Sequence, residues 1–339
     1  MIKLIDKNTN KINFGIHDKK IDFNWQDYVL HNFWDKKICR FKQKLAFHKF
    51  HFISFINDDY VIGLALVDVA IGKNIFGYIF HKTKGLCTKW QKAILNSQII
   101  FSNDIDFNLV EFETKQMTLL IERNIDNALV TYHFKYKNII VIDAQIELGF
   151  SHKPLRVVNP IDFEHWSFTE KRPGLKVKKI NVIFNHKNLQ LTPTNTLAST
   201  DWSGGFFRRN TNWIWANGAT IINNDIIGFN FATFHNNALY PENAIWFNNQ
   251  REHIRDIIFQ WDYKEPYKEG MTVYTSDGRI HLHFKPLGQK NDINTRLFGK
   301  VKTNFRQFIG MYTGYITIDN KKIILPKFLG LFELHKALW

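Results

Sequence analysis

The chain is poor in sulfur and in backbone breakers, with 2 cysteines, 4 methionines and 8 prolines in 339 residues. Cys39 and Cys87 form no CxxC pair and no disulfide framework. No apolar run approaches the ~18 residues that a membrane-spanning helix needs. The best of them, Tyr60 to Val67, stops at Asp68. The opening Met1-Ile-Lys-Leu-Ile-Asp lacks the charged-then-apolar order of a secretory signal. Glycine-rich phosphate loops, GxSxG and HExxH are missing, as are helix-turn-helix, zinc-finger and RNP signatures. With 45% hydrophobic and 15% aromatic residues, the composition excludes a disordered chain. These absences together predict a soluble, cytoplasmic protein of a reducing compartment that carries no cofactor.

The charge is the first positive feature, at a formal net of +14. It consists of 34 Lys against 11 Arg, in a chain also heavy in Asn, Ile and Phe. All four of Lys, Asn, Ile and Phe have AT-rich codons, so genome composition accounts for much of the basicity. Residues 1–150 are net +4 and residues 151–339 net +10. The densest stretch holds Lys171, Arg172, Lys176, Lys178 and Lys179. Its two readings are a weak contact with anionic membrane headgroups and a solvated hairpin rim. Specific nucleic-acid binding is not expected.

The hydrophobic period is mostly two. Val130, Tyr132, Phe134 and Tyr136 alternate with Thr131, His133 and Lys135, and Ile280, Leu282 and Phe284 with His281, His283 and Lys285. Antiparallel strands with one buried and one wet face read this way. Turn signals separate them at Asn57-Asp58-Asp59, Asp277-Gly278 and Asp319-Asn320. Only Thr88–Asn96 and the tail Leu331–Leu338 suggest helices. The expected fold is all-β: two lipocalin-like antiparallel barrels or sandwiches packed together. The prolines from Pro154 to Pro160 place the boundary, giving domains 1–158 and 159–339.

Two segments combine polar and aromatic side chains. The first runs from Ala198 to Ala216 and contains Asp201, Trp202, Gly204-Gly205, Arg208, Arg209, Trp213 and Trp215. Paired glycines permit a sharp turn, and Asp201 with Arg208 or Arg209 would make a charge-assisted pair. The same pattern serves equally as an ion pair pinning a loop, with the tryptophans as core. The second segment carries Asn230 between Phe229 and Phe231, then Glu242, Asn243 and Trp246. A carboxylate in an aromatic pocket has a raised pKa and serves as a general acid; a turn glutamate in solvent is the alternative. Histidine offers no metal site: His48 and His51 point to opposite strand faces, and no carboxylate adjoins His281 and His283.

Several segments taken together resemble the family catalogued as domain of unknown function 2804. They include Asp59 to Asp68, Trp166 to Lys171, Asp201-Trp-Ser-Gly-Gly and Arg208 to Ala216. The series continues through Ile227 to Asn230, Glu242 to Trp246, Phe305 to Gly310 and Gly330 to Trp339. The resemblance keeps one order over residues 45 to 339 and implies an architecture rather than a reaction. A looser similarity runs to the carotenoid 1,2-hydratase, tocopherol cyclase and lipocalin-like Diels–Alderase group, two-domain β-proteins that handle hydrophobic polyenes or isoprenoids.

The resulting expectation is a protein that binds a largely hydrophobic, lipid- or isoprenoid-like molecule. Asp201 and Glu242 are the acid–base candidates; Arg208, Arg209, Trp213, Trp215, Asn230, Asn243 and Trp246 would line the site. A non-catalytic lipid carrier and a carbohydrate-active protein stand as alternatives. Carboxylates converging on an apolar cavity would favour an enzyme, a long greasy tunnel a carrier, and an open Trp-lined groove a sugar site.

Overall fold

The computed structural model describes residues 1–69, 72–94, 99–102, 104–149, 152–233, 239–262, 264–296 and 301–338; the side chains of residues 296 and 301 are outside that description. Strands hold 66% of the described residues against 4% in helices, so backbone polar groups are satisfied almost wholly across strands. A nearly closed, barrel-like sheet of 14 strands takes the first two-thirds of the chain, and a half-barrel of nine strands the rest. No helix among the described residues is long and apolar enough to cross a membrane.

Alternation builds the strands as expected. Val130, Tyr132 and Phe134 are buried in Leu129–Tyr136, and Ile280, Leu282 and Phe284 in Ile280–Arg296. The turns carry their own chemistry. Asn57 Oδ1 accepts from the backbone N–H groups of Asp59 and Tyr60. Asp319 and Asn320 both take positive φ, the I′ geometry that matches the twist of the hairpin Val301–Ile318 and Lys321–Leu338.

Both expected helices are strands. Residues 88–94 belong to Gly85–Ile94, which pairs with Gly72–His81; 95 and 96 lie outside the described residues. Leu331–Leu338 ends the long strand Lys321–Leu338, paired on both sides. That strand misleads because both of its faces are covered. Phe332 packs into the core of its own sheet, while Leu331 packs against Phe52, Phe76, Tyr78 and Phe80 of the other. A strand buried on both faces loses its alternation.

The 158/159 boundary falls inside the strand Leu155–Pro160, which pairs with Trp166–Phe184 in the first sheet. Pro154 and Pro160 bracket that strand, where a missing N–H does little harm. The chain leaves the first sheet after Leu197–Phe206 and enters the second at Asn210–Ile222. Gly204 and Gly205 do not turn the chain; they lie in Leu197–Phe206, neither at positive φ. They permit close approach instead: a Cβ on Gly205 would meet the Trp166 carbonyl at 2.3 Å. The N-terminal segment lays Phe23, Trp25 and Phe47 over Trp166, Phe168, Trp202 and Phe206, covering that part of the first sheet.

Candidate functional site

The two sheets face each other across a cavity of about 80 Å³, lined from both sides. Cross-strand register places the side chains in rows. On the first sheet Lys171 stands opposite Asp201, and Asp201 opposite Phe52. On the second, Ala232 stands opposite Trp215, Trp215 opposite Glu333, Glu333 opposite Gln307, and Gln307 opposite Lys290. The period of two separates neighbours onto different faces. Thus Lys171 enters the cavity, whereas Glu170 and Arg172 point to the other face and join Arg123 and Arg156 there.

Lys171 is the centre of charge. Its Nζ donates to Asp201 Oδ2 at 2.5 Å and lies 3.6 Å from Glu242 Oε2. Burial opposes its charge, but Asp201 and Glu242 outweigh burial and raise its pKa, so it stays an ammonium. Burial raises Asp201 despite Lys171 beside it, with Glu242 adding to the rise. Glu242 is 4% exposed, and its Oε1 accepts no hydrogen bond among the described residues. Lys49, at the same cavity, is pushed down to about 8 by burial; it pairs with Asp68 at 3.8 Å and donates to the Phe101 carbonyl.

Glu333 is the third carboxyl group of the cavity. Trp213 Nε1 donates to its Oε1 at 2.6 Å and Gln307 Nε2 to its Oε2 at 2.9 Å, while Tyr78 donates to Gln307 Oε1 at 2.6 Å. The two donors favour the carboxylate, yet burial dominates and raises the pKa to about 7. The cause is simple electrostatics. Three carboxyl groups share one close ammonium, and an enclosed, largely apolar site does not hold two net negative charges without keeping a proton.

The positions singled out from sequence divide clearly. Asp201, Glu242, Trp213 and Trp215 line the cavity. Asn230 and Asn243 sit behind it and hold the Glu242 segment. Trp215 donates to Asn230 Oδ1, Asn230 donates to the Glu242 carbonyl, and Asn243 Oδ1 accepts from the Ala232 N–H. Arg208, Arg209 and Trp246 do not line it. Arg208 pairs with Asp162 at 2.8 Å, so the cation beside Asp201 is Lys171 rather than an arginine. Trp246 donates to the Lys153 carbonyl within a separate cluster with Leu155 and Val157.

Lys171 and Arg172 are buried in ion pairs, so of the basic stretch only Lys176, Lys178 and Lys179 face solvent. Sequence reasoning missed Lys171, Gln307 and Glu333 as site residues. A charged pair Glu170-Lys171 inside the apolar run from Trp166, and a lone carboxylate in Leu331-Phe-Glu-Leu334, were the available signals. Neither says which face is covered.

Several solved structures share this fold. Kievitone hydratase from Nectria haematococca is 11% identical, covering 86% of this chain and 88% of its own, with a TM-score of 0.53. CghA with Sch210972 is 9% identical, covering 87% and 88%, with a TM-score of 0.54. A further CghA structure is 10% identical over 90% of each chain, at 0.54. Identities this low speak for the fold alone. No curated protein sequence matches the chain. The model of the family described as domain of unknown function 2804 matches residues 17–339, nearly the whole chain, and the protein belongs to that family.

Proposed function

We propose that this protein takes a small, largely hydrophobic molecule into the cleft between its sheets and acts on it by acid–base chemistry, of the hydratase, cyclase or isomerase kind. The observation that carries this reading is the convergence of Asp201, Glu242 and Glu333 on one buried lysine in an otherwise apolar and aromatic cavity. A carrier has no use for so much buried charge, which is costly unless it is employed. Kinship of fold with a hydratase agrees with the reading.

The roles follow from protonation. Glu333, with a pKa of about 7, keeps a proton that it gives to an alkene carbon or a departing oxygen. Glu242, with an unengaged buried Oε1, accepts a proton from water or from the substrate. Lys171 holds Glu242 in place and is itself held by Asp201. In a hydration, one proton leaves Glu333 for carbon, water supplies the oxygen, and Glu242 takes the proton that water loses. A dehydration runs the same steps backward.

The test is to incubate the protein with hydrophobic metabolite extracts and follow retained species by native mass spectrometry and chromatography. Gain or loss of the mass of one water, or a new retention time at constant mass, is the expected result. It should vanish in Glu333→Gln and Glu242→Gln. A ligand retained unchanged by all three proteins would make this a carrier.

Glu333→Gln also has an expected stability signature. The Glu333 carboxyl has an ordinary value of 4.5 and a folded value of about 7, so the folded state binds the extra proton between these values. Stability supplied by that proton is complete below the unfolded pKa and is lost as pH rises through the folded one. The variant should therefore be more stable than the parent by as much as ~3 kcal/mol near pH 8, and no more stable near pH 4. Gln307 can reverse its amide to serve the new side chain, with Tyr78 accepting instead of donating. Urea melts at both pH values decide it. Equal gains at both would show that the charge of Glu333 is not the cause.

A further inference from the structure

A second chamber of about 140 Å³ adjoins the first and shares Phe50, Val67, Val69, Phe76 and Phe305 with it. Lys290 lies there, 4% exposed, next to Gln307 in the row that contains Glu333. Its Nζ sits 3.8 Å from the ring centre of Phe76 on one sheet and 4.6 Å from that of Phe305 on the other. Two aromatic faces stabilise a cation but do not replace a counterion.

Among the described residues, Lys290 Nζ has no hydrogen-bond acceptor and no carboxylate oxygen within 4 Å. The other buried lysines of the cleft behave differently: Lys171 has Asp201, and Lys49 has Asp68. The charged and titratable groups that act on Lys290 or share its chamber are Asp292 on its own strand, Glu333 and His335 on Lys321–Leu338, Lys302 on Val301–Ile318 and Lys89 on Gly85–Ile94. None closes on the ammonium. Burial pushes Lys290 down to about 8, consistent with a cation that lacks a close counterion.

We propose that Lys290 is a recognition site for an ionised oxygen of the ligand, a carboxylate or phenolate, at the end away from Glu333. This rests on the reading of the cleft as a binding site for hydrophobic molecules and narrows the ligand to an amphipathic acid. The apolar body would lie along the shared aromatic waist. Its anionic head would supply the counterion that the protein withholds.

The test compares decanoate with 1-decanol by isothermal titration calorimetry. These probes share a chain and differ in the ionised head. Near pH 7 the wild type should bind decanoate at least tenfold tighter than decanol. Between about pH 8 and about pH 9.5, where Glu333 is already ionised, decanoate affinity should fall about tenfold as Lys290 loses its proton, with decanol unaffected. Lys290→Met, which keeps the apolar stem, should lose the preference for decanoate and keep decanol affinity within about twofold. Equal affinity of the wild type for the two probes overturns the proposal and leaves the cleft reading intact. So does a preference that survives in Lys290→Met. Binding of neither probe overturns both. Lys49 in the adjoining cavity is also pushed down to about 8, so the pH arm is read as the difference between wild type and Lys290→Met, and the comparison of the two probes near pH 7 in the wild type decides the matter if the variant fails to fold.

Discussion

Glu170→Gln will cost the protein about 3–5 kcal/mol and leave much of it unfolded at 37 °C. Glu170 is 1% exposed on the interior face of Trp166–Phe184, and three guanidinium groups converge on it. Arg123 reaches its Oε1 at 2.8 Å, Arg172 the same oxygen at 3.1 Å, and Arg156 its Oε2 at 2.7 Å. Burial would raise the carboxyl, but the three arginines hold it well below the usual range. Asp106 accepts from Arg123 and Arg156 at 3.4 and 3.3 Å, so it balances only part of the remaining charge. Removal of the central anion leaves three buried cations against one carboxylate. Urea denaturation of Glu170→Gln and of Glu170→Gln with Arg172→Met measures this. The double variant should lose less than the single one, since it deletes one of the uncompensated charges. A single variant within 1 kcal/mol of the parent would mean that the arginines reach solvent when unpaired.

Lys171→Met will cost a similar amount near pH 8, with a dependence on pH that Glu170→Gln lacks. Without the ammonium, Asp201, Glu242 and Glu333 face one another across a cavity with no cation bound to them. The folded pKa values of Asp201 and Glu333, already raised by burial, then rise further above their ordinary values of 3.8 and 4.5. A raised folded pKa gives stability below the unfolded value and loses it as pH climbs through the folded value. The deficit of the variant should therefore be about 3–5 kcal/mol near pH 8 and shrink steadily toward about pH 5, where the carboxyls take up protons. Paired urea melts across that range check it. A deficit that does not change with pH would assign Lys171 a packing role and remove it from the charge logic of the site. Ligand turnover should be lost in the same variant at every pH, because the group that holds Glu242 in place is gone.

The sequence carried the local rules. Alternation at 129–136 and 280–285, the Asx turn at Asn57 and the Asp319-Asn320 hairpin depend on contacts within one strand pair, and these are written in neighbouring residues. An all-β chain followed from them. Density of tryptophan and polar groups also marked the two segments that bring Asp201, Trp213, Trp215 and Glu242 to one cavity. The failures share one cause. Leu331–Leu338 read as a helix and Lys171 as a surface cation because each was judged by its own segment.

Period two divides Glu170 and Arg172 from Lys171, but it cannot say what lies over either face. Here the interior of the first sheet covers one face and the second sheet the other. The same holds for Glu333 and Lys290, which look unremarkable along their strands until Gln307 is seen between them and Phe76 comes across from the opposite sheet. Strand identity where one face alone is buried, turn type and facing parity were thus determined by the sequence alone. Charge partners, protonation and the cavity itself were decided by the tertiary structure, because they depend on side chains that meet only when two sheets, far apart in the chain, close on each other and exclude water.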